Sequence, residues 1–277
     1  MNDLIALHAA YLRAAGMSRN TVTAAVETLE RLDRHLHLGI AHTTRAEIEK
    51  WLGNERWKPA TRGVYYHHAA KFYAWATDED VDLIDINPML RIKPPRVRKG
   101  EPRPLTDGQV ETLLSRAAMP YRLFALIALE TGLRCCEMAE LHKEDIGERD
   151  VFVRRAKGGA SATVPGRPAL LIEAIRDLPH GLLAESAGGV ADAQWISRRS
   201  AAHFHRSLHL PDVTLHRCRH TYARRLREAG GDAFLIKRSL RHSSLASTQI
   251  YVGASEDECR QAVRGLAPLP YKNPGAC

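Results

Sequence analysis

The residues best suited to chemistry fall in four separated stretches. The first is Thr131-Gly132-Leu133-Arg134-Cys135-Cys136-Glu137-Met138. Gly132 is placed to end one helix, and Arg134 stands in the turn before the next. An arginine there can aim its planar fork at a phosphate. The second is Lys157, in the turn Lys157-Gly158-Gly159 between two short strands. The third is Leu215-His216-Arg217-Cys218-Arg219-His220-Thr221-Tyr222, with Thr214 placed to cap its helix. His216 and Arg219 are three apart and share a face. Such a histidine exchanges a proton near neutral pH while the arginine holds an oxyanion. The fourth runs from Leu240-Arg241-His242 to Tyr251, nine residues after His242. Each piece alone has an ordinary reading. Arginine in a turn is usually surface, lysine is common in turns, and a lone histidine or tyrosine is usually packing.

Together the four stretches resemble the tyrosine recombinase (phage integrase) family. That family is marked by an arginine in a TGLR-like turn, a hairpin lysine, an HxxR pair, a histidine or tryptophan, and then the tyrosine. Here these fall on Arg134, Lys157, His216, Arg219, His242 and Tyr251, in the family's order. The segment HRCRHTYARRLREAGGD, followed by LRHSSLASTQIYV, is the most specific part. The resemblance covers residues 104–255 strongly. It extends to 1–92, which looks like the family's helical core-binding domain. It is to a simple integrase or Xer-like enzyme, without an arm-binding domain. Three positions depart from the pattern. Arg241 stands where the family usually has glycine, and is expected to alter how His242 is presented or to add a phosphate contact. Cys135-Cys136 replace a non-cysteine pair. Ala160 stands where many relatives carry a second lysine, which leaves Lys157 as the choice.

The resemblance implies DNA cleavage and rejoining through a 3′-phosphotyrosine. Attack on a phosphodiester adds negative charge to a pentavalent centre, which Arg134, Arg219 and His242 would stabilise. Tyr251 is a weak nucleophile as a neutral phenol, with His216 placed to take or relay its proton. Lys157 would protonate the leaving 5′-oxygen. No metal and no other cofactor enters this chemistry. The implied partners are double-stranded DNA and three further copies of the chain, as a homotetramer on two DNA sites. Two other readings use the same residues or fold: a type IB topoisomerase-like nicking-closing enzyme, and a non-catalytic DNA-binding regulator. Such a regulator would tend to have lost Tyr251 or an arginine. A zinc site at His203, His205 and His209 lacks a nearby cysteine or carboxylate. Tyr222, inside the HxxR helix, reads as packing.

The expected fold is mainly α with a small β-hairpin: a helical core-binding domain plus an α+β catalytic domain. In residues 1–92, Val22, Val26, Leu29, Leu32 and Leu36 recur at helical spacing, with Thr21 placed to cap. Ile48, Trp51 and Leu52 predict a short helix stopping at Gly53. Another from near Thr61 places Val64, His68, Phe72 and Trp75 on one face. Residues 93–103, rich in proline and charge, form a basic linker, either a plain spacer or one that follows a phosphate backbone. The catalytic domain, 104–277, opens with the capping pattern Thr106-Asp107-Gly108-Gln109. A helix runs from about Tyr121 to Glu130. Val151–Val153 and Ala162–Val164 predict the paired strands. The tail after residue 255 either docks on a neighbouring subunit or frays.

Bulk composition agrees. The formal net charge is +8, which favours an anionic partner. Residues 1–92 carry 11 Lys/Arg against 12 Asp/Glu, 93–103 carry 5 against 1, and 104–277 carry 24 against 19. The excess therefore sits in the linker and C-terminal part. The five cysteines lack zinc-like spacing and read as reduced thiols in a cytoplasmic, nucleoid-associated protein. No signal peptide or membrane span is expected.

Overall fold

A computed structural model describes residues 3–97, 103–154, 161–165, 169–241, 260–261, 263–267 and 269–270. The chain divides into two compact units, Met1–Gly100 and Glu101–Cys277. Among the described residues both are built from helices, and the second adds one two-stranded sheet.

Unit 1 contains α1 (Asp3–Ala14), α2 (Arg19–Asp33), α3 (Arg45–Leu52) and α4 (Pro59–Ala76). The cap of α2 is Ser18, not Thr21. Ser18 has extended backbone and its hydroxyl accepts the Thr21 N–H at 3.2 Å. Thr21 is thus already inside the first turn. Val22, Leu29, Leu32 and Leu36 are buried, as their spacing predicts. Thr44 and Glu47 form a capping box at the start of α3, and Gly53 closes it. Pro59 occupies the first turn of α4, where its missing N–H costs nothing. The buried face of α4 is Ala69, Phe72, Tyr73 and Ala76, while Val64 is 49% exposed. The phenol of Tyr73 donates to the Ile40 carbonyl at 2.9 Å. That satisfied hydroxyl lets the ring enter the core. Trp75 packs outside this face, with its ring centroid 4.8 Å from His8 and 5.6 Å from Tyr11 of α1.

Unit 2 runs α5 (Asp107–Arg116), α6 (Tyr121–Thr131), α7 (Cys135–Ala139), a 3₁₀ turn (Lys143–Asp145), β1 (Asp150–Val153), β2 (Ala162–Pro165), α8 (Ala169–Ile175), α9 (Leu183–Ser186), α10 (Ala193–Leu208), α11 (Leu215–Glu228) and α12 (Ala233–Ser239). The Thr106–Gln109 capping box opens α5. Every residue of α6 from Leu123 to Thr131 is buried. A helix apolar on all sides must be surrounded, and α6 packs against α5, α8, α10 and α11. β1 and β2 pair antiparallel with Val151 opposite Val164. Val151 and Val153 face the core and Phe152 is 44% exposed, the alternation of a one-sided sheet. A second cluster joins Tyr222, Leu226, Leu240 and Val263, and Leu269 enters the main core. These described tail residues therefore pack on their own chain. Among the described residues no helix is long and apolar enough to cross a membrane.

Candidate active site

The site is built around the end of α6. Gly132 closes that helix in the left-handed region, with φ +63° and ψ +21°. Glycine adopts this backbone without the Cβ penalty. Space requires it too: a Cβ here would lie 2.5 Å from Tyr222 Cδ1 and 3.0 Å from Leu240 Cδ2. The bare backbone thus lies against α11 and the end of α12. Two residues on, Arg134 is the N-cap of α7. Its N–H donates to Glu137 Oε2 at 2.7 Å and its Nη1 to Glu137 Oε1 at 3.2 Å. Its Nη2 donates to the Arg241 carbonyl at 3.2 Å. The Arg134 side chain stays 24% exposed.

Arg219 reaches the same turn from α11. It is 3% exposed. Its Nη1 donates to the Gly132 carbonyl and its Nη2 to the Leu240 carbonyl. Burial, with the nearby Arg134 charge, pulls its pKa down to about 10, against the pull of Glu137. It remains cationic at neutral pH. Thr214 caps α11 by accepting the Arg217 N–H at 3.3 Å. His216, one turn before Arg219, is exposed. Partial burial, then the Arg219 and Arg134 charges, hold its pKa below the usual histidine value. Its ring meets His220 edge to face, with centroids 4.5 Å apart. Cys218 points into the core instead, and burial pushes its thiol up to about 12. One turn of α11 thus places Arg219 under the Gly132 turn while leaving His216 open.

Two further residues stand beside the site: Glu137, which the sequence reading did not place there, and Arg241, which it expected to alter how His242 is presented or to add a phosphate contact. The Glu137 side chain is fully buried. Burial pushes its carboxyl up, but Arg241 and Arg134 outweigh this and hold it below the usual carboxylate range. Arg241 contacts it twice, Nη2 to Oε2 at 2.7 Å and Nε to Oε1 at 3.3 Å. Arg241 sits at φ +51°, the left-handed region that favours glycine. Its side chain turns inward onto Glu137. The available signal for Glu137 was its capping-box spacing after Arg134. Nothing local links it to Arg241.

Lys157, His242 and Tyr251 lie outside the described residues. Their flanks are described. Arg154, at the end of β1, donates from Nε to Asp145 Oδ2 at 2.8 Å and Oδ1 at 3.1 Å, which ties the strand to the 3₁₀ turn. Arg241 immediately precedes His242. Among the described residues, His203, His205 and His209 form no group that could hold a metal ion. His203 Nε2 accepts the Ala118 N–H at 3.1 Å and stacks on Tyr121, and His209 lies past the helix end in left-handed backbone.

Residues 103–258 match the phage integrase family. The tyrosine recombinase XerC of Roseiflexus castenholzii is 27% identical over 263 residues, spanning 85% of this chain and 83% of that protein. The tyrosine recombinase XerD of Vibrio cholerae is 26% identical over 89% of each. Among solved structures, a lambda integrase dimer bound to a COC′ core site is similar with a TM-score of 0.72 and 17% identity, covering 92% of this chain and 99% of that one. A lambda integrase tetramer bound to a Holliday junction gives 0.71 at 18% identity, covering 90% and 79%. These structures share the fold. With more than half of its length matched, the chain belongs to the phage integrase family and is a tyrosine site-specific recombinase.

Proposed function

We propose that the chain cleaves and rejoins duplex DNA through a 3′-phosphotyrosine at Tyr251. The phenolic oxygen forms a bond to phosphorus as the bond to the 5′-oxygen breaks. His216 takes or relays the phenol proton, and Lys157 gives a proton to the leaving oxygen. Arg134 and Arg219, with His242, stabilise the charge on the non-bridging oxygens. The phosphotyrosine keeps the energy of the broken bond, so reversal with a new 5′-hydroxyl rejoins strands. What supports this reading is the meeting of Arg134 and Arg219 on the Gly132 turn with an exposed, neutral-leaning His216 one turn away. Both units, joined by the basic linker of residues 93–103, hold the DNA. Four copies act on two DNA sites through a Holliday junction, in the cytoplasm with the nucleoid. The tetramer is in keeping with the similar integrase solved on such a junction.

Tyr251→Phe should keep DNA binding and lose the covalent adduct. The measurement is trapping of an SDS-stable protein–DNA species on genomic DNA, with the joined site mapped. An adduct that persists in the variant would move the nucleophile elsewhere.

A further inference from the structure

Two guanidinium groups contact one buried carboxylate, and a third lies within its electrostatic reach. Arg134, Arg219 and Arg241 bring three positive charges, and Glu137 brings one negative charge among them. The carboxylate is not shared evenly. Arg241 spans both oxygens, at 2.7 Å to Oε2 and 3.3 Å to Oε1. From its side chain Arg134 gives only the 3.2 Å contact to Oε1; its contact to Oε2 comes from the backbone N–H. A carboxylate offers about four acceptor positions, and these four donors fill them. The Arg241 side chain is 12% exposed, half the exposure of Arg134. Arg241 thus competes with the Arg134 fork for Glu137. Its backbone makes the same point. A side chain at φ +51° is disfavoured, so what holds an arginine there is its contacts.

We propose that Arg241 is a positioning residue for strand cleavage: by engaging Glu137 it leaves the Arg134 guanidinium available to the scissile phosphate. This rests on the reading of Arg134 as a ligand of that phosphate. With Arg241 present, three charges against one leave two positive charges to meet the phosphate. Without it one remains, and Glu137 draws Arg134 inward. The Arg241 carbonyl adds a second hold, accepting from Arg134 Nη2 at 3.2 Å. The deficit falls on the transition state, where phosphoryl charge is greatest.

The test uses the full-length chain and a nicked duplex carrying the site mapped from wild-type adducts. Single-turnover adduct formation and duplex affinity are measured separately. Arg241→Gly suits the positive φ and should fold. It should slow adduct formation roughly tenfold, less than the loss of a whole oxyanion donor, with affinity little changed. Adding Glu137→Gln should restore most of the rate. The amide still accepts the Arg134 N–H but no longer competes for its charge. A structural role for Arg241 would instead make the double variant at least as slow as the single, and that result overturns the proposal. So does a single variant as fast as wild type. If Arg241→Gly fails to fold, Arg241→Lys decides. It keeps the charge but cannot span both oxygens, so it should be slower than wild type and recover with Glu137→Gln; an unchanged rate overturns the proposal. Absence of any adduct from the wild-type chain would instead sink the recombinase chemistry, and the proposal with it.

Discussion

His216 is the residue whose surroundings speak most directly to its task. A base must be neutral to accept a proton. Partial burial, and after it the charges of Arg219 and Arg134, disfavour the imidazolium form, so the ring stays neutral to lower pH than an ordinary histidine. If His216 takes the Tyr251 proton, the acid limb of cleavage should have its midpoint below pH 6.5, the reference histidine value. Replacing the ring by His216→Gln should lower the rate by about 10²–10⁴-fold, the usual worth of positioned proton transfer, and remove that limb. Single-turnover adduct formation from pH 5 to 8 checks both (about the range in which histidine titrates). A limb kept unchanged in the variant would assign the titration to another group. The histidine and the two arginines were legible because their types and order were distinctive. Glu137 was not. A glutamate three residues into a helix normally faces water. Its burial depends on Arg241, 104 positions away in the chain, and sequence spacing carries no trace of that pairing.

At the scale of elements, local signals were read well where the local chain decides the outcome. The capping box at Thr106 needs only residues three apart and was legible, whereas the cap of α2 was read at Thr21, three residues past Ser18. The face of α4 was read poorly for the opposite reason. Val64, His68, Phe72 and Trp75 keep helical spacing, and so do Ala69, Phe72, Tyr73 and Ala76. Packing chose the second set, with the Tyr73 hydroxyl satisfied by Ile40. A buried acid at the end of α6 escaped notice altogether. Glu130 Oε2 accepts the Leu171 N–H at 3.1 Å and so joins α6 to the start of α8, just beyond β2. Burial raises its carboxyl to about 7, against hydrogen bonds from Leu171 and Leu170 and the charge of Arg225. The folded chain therefore holds a proton that the unfolded chain has lost between about pH 4.5 and 7. Stability must fall as pH rises through that window, with the cost fully present above it. The shift corresponds to about 3 kcal/mol at most. Glu130→Gln keeps an acceptor for Leu171 and removes the charge. It should stabilise the protein by about 1–3 kcal/mol at pH 8 and have almost no effect near pH 4.5. Urea denaturation at the two pH values checks this. Equal stability at pH 8 would mean that Arg225 already compensates the carboxylate.

For the whole molecule, the division into Met1–Gly100 and Glu101–Cys277 makes the DNA-binding contribution of each unit measurable. All six proposed catalytic residues belong to the second unit. Among the described residues, its main core, from Leu105 to Leu269, draws none from the first, so a fragment of residues 101–277 is expected to fold. Charge distribution sets the expectation for binding. Unit 1 is nearly neutral through residue 92, with 11 basic against 12 acidic side chains. Any phosphate contacts it makes must come from local arrangement rather than net charge. Counting those contacts requires salt. Each phosphate neutralised releases counterions, so the logarithm of affinity falls with the logarithm of salt with a slope of about −0.9 per contact. If unit 1 holds the backbone, the fragment should bind the target duplex more weakly and with a shallower slope, by roughly two or more. Fluorescence anisotropy across a salt series, on fragment and full chain, reads both quantities. The fragment should still form a slow covalent adduct, because it holds all six proposed catalytic residues. Equal affinity and equal slope would confine DNA binding to residues 101–277. A fragment that folds and binds but forms no adduct would place part of the cleavage machinery in unit 1.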